Sequence, residues 1–279
     1  MNDLSLLPDR LRLACLQFDV RRADVAGNCE RVSSLMQEAA VRACHLVVLP
    51  EMWSASFAGE GLKREAECLA ERQAFVAAEA RRNQLWIAAG TLPEPASDDR
   101  VFNTLFLFDP TGTIRWSYRK VHLFPNSSEP RWFRGADRPA QPLMLGSWVI
   151  GGGVCYDVRM PELFRAQMKA QANLYVLPAQ FPDPRLEHFT LLCRCRALEN
   201  LAYLAGVNRI GSEGSLTHSG GSLVVDPFGR VLAQRDATEG IVIADLDVAV
   251  VQAIRRQHPF LEQTKTLDQL LAGGTLAHE

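Results

Sequence analysis

Short apolar runs alternate with longer stretches of helical periodicity along nearly the whole chain, and this alternation narrows the possible folds more than any other feature. Arg12–Phe18 reads as a strand, and His45–Leu49, an apolar run stopped by Pro50, reads as a buried one. Between them Asn28 is placed to cap a helix reaching about Arg42, with Val32, Leu35, Ala39 and Ala40 at helical spacing. Leu62–Asn83 predicts a helix and Leu85–Ala89 the next strand. Val101–Phe108 and Thr113–Tyr118 form a hairpin through the turn Asp109-Pro-Thr-Gly112. Asn126–Pro142, rich in Pro, Gly and charge, predicts a long loop. Trp148–Val154 is a strand carrying three consecutive glycines, Gly151 to Gly153. A helix over Pro161–Ala170, a strand over Asn173–Leu177, a helix over Leu186–Asn200 and a strand over Leu201–Val207 follow. A second hairpin joins Gly221–Val225 to Arg230–Ala233, and the strand Ile241–Leu246 precedes a short helix over Val248–Arg256. Helices alternating with strands and hairpins predict a layered α/β fold on a mixed sheet. No Pro/Ser-rich linker divides the 279 residues, which read as one domain.

Composition removes several function classes. With 47% apolar and 22% charged residues the chain can bury a large core. A formal charge of -2 and the lack of a long basic run point away from nucleic acid and anionic membranes. No apolar stretch approaches the roughly 20 residues of a membrane helix. Met1–Arg10 lacks the basic-then-apolar order of a secretory leader, so the expectation is a soluble, cytoplasmic protein. The seven irregularly spaced cysteines do not read as a disulfide framework, and most read as small buried hydrophobes. Cys193 and Cys195 form a C-x-C pair, but no second Cys/His pair completes a metal site.

Three segments share one design, an apolar strand that ends in a reactive residue: Val47–Glu51, Trp116–Leu123 with Lys120, and Val154–Asp157 with Cys155. Singly, each has an ordinary reading: Glu51 as a solvated loop carboxylate, Lys120 as a surface lysine, Cys155 as a packed thiol. Together they make a workable amidase. An amide carbonyl is a poor electrophile and needs a nucleophile such as a thiolate. A carboxylate can take the thiol proton, give it to departing ammonia and later activate water. An ammonium group and a backbone N–H can hold the developing oxyanion.

The blocks L-P-E-M-W at 49–53, Y-R-K-V-H-L-F at 118–124 and C-Y-D-V-R-M-P-E-L-F-R at 155–165 resemble, in order and separation, the signatures of the nitrilase, or carbon–nitrogen hydrolase, superfamily. P-A-Q-F-P at 178–182, R-A-L-E-N at 196–200 and D-P-F-G at 226–229 extend the likeness, which runs from about Leu11 to Phe260. The resemblance implies Glu51 as general base, Lys120 as oxyanion stabiliser and Cys155 as nucleophile, with the amide of Tyr156 completing the oxyanion site. It implies a supporting role for Glu129, whose other reading is an ordinary loop carboxylate. It further implies a four-layer α-β-β-α sandwich, a homodimer or larger homo-oligomer, and no metal or organic cofactor. The blocks are most similar to the ω-amidase-like branch, which hydrolyses ω-amides of dicarboxylic acids such as 2-oxoglutaramate. Tyr156, where true nitrilases usually carry tryptophan, argues for amide over nitrile hydrolysis. Gln180-Phe181 departs from the common Asn-Trp pair, and His188-Phe189 from His-Trp.

Trp53, Phe124 and Phe181 are candidate pocket walls, with plain packing as the other reading. Arg159 either binds a substrate carboxylate or pairs with Asp157 or Glu162; Arg131 and Arg134 are further candidates for a carboxylate. His122 invites a Cys–His reading, but bracing of its loop fits better. Hydrolysis of N-carbamoyl compounds and a non-catalytic binding scaffold are the competing functions.

Overall fold

The computed structural model describes residues 6–259 together with 263 and 264, so the expected limit at Phe260 and the tail beyond it lie outside the described residues. The chain runs β1 (Arg10–Gln17), α1 (Val25–Val41), β2 (Leu46–Val48), α2 (Gly61–Glu67), α3 (Leu69–Asn83), β3 (Trp86–Ala88), β4 (Leu92–Pro95), β5 (Val101–Phe108), β6 (Ile114–Arg119) and α4 (Glu129–Trp132). It continues with β7 (Leu143–Leu145), β8 (Trp148–Gly152), α5 (Pro161–Lys169), β9 (Leu174–Pro178), α6 (Leu186–Asn200) and β10 (Tyr203–Val207). The last elements are β11 (Ile210–Glu213), β12 (Leu216–Ser219), β13 (Leu223–Val225), β14 (Val231–Gln234), β15 (Gly240–Asp247) and α7 (Val248–Gln257).

Two mixed sheets carry the fold. One has seven strands in the order β15-β1-β2-β3-β5-β4, with β6 on β5; the other has six, β14-β13-β10-β9-β8-β7. Parallel pairs β1–β2, β2–β3, β8–β9 and β9–β10 form their centres. Alternation along each strand sorts the side chains into layers. In the first sheet Leu13, Cys15, Leu46, Val48, Trp86, Ala88, Leu105 and Leu107 share one core with residues of the second sheet. Their neighbours Ala14, Leu16, Val47, Ile87, Phe106 and Phe108 pack instead against Val32, Leu35 and Met36 of α1 and Val76 and Ala80 of α3. On the far side of the second sheet, Phe164 of α5 stacks edge-on against Tyr175 of β9 at 5.2 Å, and Phe189 and Cys193 of α6 are buried. The result is the expected four-layer α-β-β-α sandwich.

Several local expectations are corrected. Asp24, not Asn28, caps α1, accepting from the Gly27 N–H. Asn28 instead ties loops together, donating to the carbonyls of Arg21 and Ser54. The helix expected over Leu62–Asn83 breaks at Cys68 into α2 and α3. The loop after Asn126 contains the single helical turn α4, which begins at Glu129. Strands β4 and β7 and the hairpin β11–β12 were not anticipated.

Candidate active site

Glu51 lies three residues past β2 in a loop pinned on every side. Met52 N–H donates to Thr91 Oγ1 at 2.8 Å, Trp53 Nε1 donates to the Ala89 carbonyl at 2.9 Å, and Gln180 Nε2 donates to the Glu51 carbonyl at 2.7 Å. The turn after β3 comes so close that a Cβ on Gly90, which has φ +51°, would stand 2.0 Å from the Pro50 carbonyl oxygen. Lys120 continues β6 beside β5, its N–H donating to the Asn103 carbonyl at 2.9 Å. Cys155 follows β8 at φ +48°, a left-handed turn that costs a non-glycine residue about 1–2 kcal/mol. The glycines before it have a packing reason. A Cβ on Gly151 would meet Gln167 Oε1 at 2.2 Å, and one on Gly153 would meet Asp157 Cβ at 2.9 Å.

These strand ends converge. Lys120 Nζ lies 3.0 Å from Glu51 Oε1 and 2.8 Å from Glu129 Oε1. Glu51 and Lys120 are fully buried and Glu129 nearly so. Asn103 Nδ2 also donates to Glu51 Oε1 at 2.8 Å, while the Gln180 N–H donates to Oε2 at 3.1 Å. Cys155 and Glu51 line the same pocket. Glu129 Oε2 accepts from the Phe124 N–H at 2.9 Å. Glu129 is therefore no free loop carboxylate: it links the lysine to the loop that carries Phe124.

The electrostatics follow from burial around one cation. Burial raises Glu51 above the usual glutamate value, with Lys120 pulling it down and Glu129 pushing it up. Burial alone would lower Lys120, but Glu51 and Glu129 outweigh it and hold the ammonium well above the ordinary lysine value. Burial, then Glu51, push the Cys155 thiol well up, against the pull of Lys120. The resting arrangement is thus a neutral thiol beside a carboxylate, one proton transfer away from an active nucleophile.

A second buried carboxylate joins the lysine and cysteine loops. Asp157 accepts from Tyr118 Oη at 2.9 Å, the His122 N–H at 2.8 Å and the Val154 N–H at 3.0 Å, and meets His122 Nδ1 at 2.8 Å. Through this bond to Asp157 His122 braces its loop. Asp157 is thereby unavailable to Arg159, and that expected ion pair is absent.

An open pocket leads to the thiol, with Glu51, Glu129 and Cys155 at its floor and Phe57, Phe124, Tyr156, Phe181, Arg159 and Arg185 around it. Phe124 and Tyr156 stack at 5.3 Å. Arg159 Nη2 lies 3.3 Å from His188 Nδ1, and the Arg185 guanidinium sits 4.8 Å from the Phe124 ring centre. Among the described residues neither arginine has a carboxylate within ion-pairing distance. Trp53 does not line this pocket. It is fully buried in the helix-side core, 5.9 Å from the Phe75 ring. Arg134 is turned to Asp137 and Ser97, and Arg131 stacks on Trp132; neither reaches the pocket. Asn103, Gln180, Phe57 and Arg185 are site residues that sequence reasoning missed. Only Asn103, a polar residue inside the apolar run of β5, carried a signal.

The sequence profile of the carbon–nitrogen hydrolases matches residues 12–256. The chain is 31% identical to a 2-oxoglutaramate amidase of Bacillus subtilis (strain 168), covering 91% of this chain and 97% of that protein. It is 30% identical to the omega-amidase NIT2 of Danio rerio, covering 92% and 95%. The crystal structure of Saccharomyces cerevisiae Nit3, a member of branch 10 of the nitrilase superfamily, superposes with a TM-score of 0.83 at 26% identity, over 91% of this chain and 96% of that one. A profile spanning nearly the whole chain, on a sandwich whose strand ends bring Glu51, Lys120 and Cys155 together, makes this protein a member of the carbon–nitrogen hydrolase family.

Proposed function

We propose that the protein hydrolyses the ω-amide of a small dicarboxylic or 2-oxo dicarboxylic acid, such as 2-oxoglutaramate, to the carboxylate and ammonia through a thioester on Cys155. The observation that carries this reading is the pocket itself: a thiol and a buried carboxylate at the floor, and two arginines at the mouth that have no carboxylate partner among the described residues. An ω-amide of a dicarboxylic acid offers an amide to the first and a carboxylate to the second. The names of the Bacillus and Danio relatives support the same substrate class.

In this mechanism Glu51 takes the Cys155 proton as sulfur attacks the amide carbon. The carbonyl oxygen becomes negative and is held by the Lys120 ammonium and the Tyr156 N–H. Glu51 then protonates the leaving nitrogen, ammonia departs, and the acyl group stays on sulfur. Water, deprotonated by Glu51, cleaves the thioester and restores the thiol. Glu129 keeps Lys120 charged and in place. Phe124, Tyr156 and Phe181 wall the acyl chain, and Arg159 and Arg185 take its far carboxylate.

A homodimer belongs to the same reading. Helix α6 exposes Leu191 and Leu198, and the neighbouring β13–β14 hairpin exposes Phe228, Val231 and Leu232, an apolar face suited to a second copy. All seven cysteines are unpaired, which suits a reducing cytoplasm. Among the described residues no helix is long and apolar enough to cross a membrane.

The test is ammonia release from purified protein offered 2-oxoglutaramate, succinamate, glutamine and N-carbamoyl compounds. The reading expects turnover of at least one ω-amide. Ammonia accompanied by carbon dioxide, from N-carbamoyl compounds alone, would replace it with a carbamoyl hydrolase.

A further inference from the structure

Gln180 stands where the proposed base and nucleophile meet, and its N–H and both side-chain polar atoms are engaged there. Its N–H donates to Glu51 Oε2 at 3.1 Å, and the residue lines the same pocket as Cys155. Its side-chain Nε2 donates to the Glu51 carbonyl at 2.7 Å. Its side-chain Oε1 accepts from Ser56 Oγ at 3.2 Å and Arg209 Nη1 at 3.3 Å. Arg209 is itself almost wholly buried, 3.2 Å from both Asp19 Oδ1 and Glu213 Oε2, with Nη1 3.0 Å from Ser56 Oγ. A guanidinium held by two carboxylates is a fixed fork, and it aims the Gln180 amide.

We propose that Gln180 is a positioning residue for proton transfer between Cys155 and Glu51, oriented by the buried Arg209. When the thiol proton moves to Glu51, the negative charge moves from the carboxylate to the sulfur. The Gln180 N–H holds Glu51 Oε2, so the carboxylate that receives the proton keeps one orientation while the charge moves. The side chain fixes the N–H by gripping the Glu51 main chain on one side and the Arg209–Ser56 pair on the other. The inference rests on the proposed roles of Glu51 and Cys155, but not on the choice of substrate.

The experiment is Gln180→Ala, which keeps the N–H but removes both grips, with Arg209→Lys as a second variant. Arg209→Lys retains the charge between Asp19 and Glu213 and loses the fork. Two readouts are taken: kcat and KM for the amide that the wild type turns over, and the pH dependence of Cys155 alkylation by iodoacetamide, followed on its peptide by mass spectrometry. For Gln180→Ala we expect kcat to fall about 10- to 100-fold, the weight of one charge-assisted hydrogen bond, with KM changed less than about threefold. The alkylation profile of Cys155 shifts to higher pH. Arg209→Lys moves both in the same direction by less, and stands alone if Gln180→Ala does not fold. Alkylation needs no substrate, so a wrong substrate assignment leaves that arm intact. An unchanged alkylation profile, or a loss confined to KM, in a folded variant overturns the proposal.

Discussion

At the floor of the pocket Glu51 and Lys120 are sealed from water, and one carboxylate is held by an ammonium, an amide side chain and a main-chain N–H. At the mouth, Arg159 and Arg185 lean on aromatic rings and have no carboxylate near them among the described residues. A satisfied, buried charge cluster is a poor place to vary a ligand and a good place to hold a reaction geometry to a fraction of an ångström. Cations without counterions on a pocket rim are the opposite: they leave room for a charged group to arrive from solution. The comparison separates the bond broken from the molecule that carries it, and substitutions in the two regions should fail differently.

The largest effect is expected at the floor. Cys155→Ala removes the nucleophile and should lower kcat by about 10⁴-fold or more, measured as ammonia release. Lys120→Ala should follow at roughly 10²- to 10³-fold. It should also destabilise the fold by about 3–5 kcal/mol in chemical denaturation, because it leaves Glu51 and Glu129 facing each other without a cation. At the mouth, Arg185→Ala and Arg159→Ala should leave stability nearly unchanged and raise KM about 10-fold for a carboxylate-bearing amide, but not for an uncharged one. Equal losses on both amides would erase the distinction between floor and mouth.

Two pH effects are smaller. Glu51 must be ionised to accept the thiol proton and its pKa is raised, so the acid limb of kcat/KM should lie above the ordinary glutamate value of 4.5. The Asp157 hydrogen bond raises the pKa of His122 above 6.5. A raised folded-state value means the charged pair stabilises fully below the unfolded value and fades as pH rises through the folded one. The melting-temperature gap between wild type and His122→Gln should be widest below pH 6.5 and narrow above it, a modest effect because the imidazole is partly exposed.

The distribution of burial also explains what could be read from the chain. α5 and α7 announce themselves because their buried residues repeat with the helical period, and β1 and β5 because they are apolar runs inside a buried layer. The three reactive blocks were legible because each follows such a strand. Strands β4, β7 and β11–β12 were hidden: Leu92-Pro-Glu-Pro95 carries two prolines, β7 has three residues, and Ile-Gly-Ser-Glu at 210–213 is polar enough to pass for a loop. Cys68 ends a helix without Gly or Pro to mark it. Trp53 follows a reactive glutamate in sequence but points to the other side of its loop, a direction that sequence adjacency does not encode. Gln180 registered only as a departure from the Asn-Trp pair and Arg185 not at all, since their importance comes from loops joined only by folding.

The central claim is that Cys155 carries the acyl group, and rapid quenching during turnover of an ω-amide tests it most directly. Peptide mass spectrometry should find the Cys155 peptide heavier by the substrate less ammonia, with the adduct decaying as the free carboxylate appears. Turnover with Cys155 unmodified, an adduct on another cysteine, or undiminished activity in Cys155→Ala would contradict it.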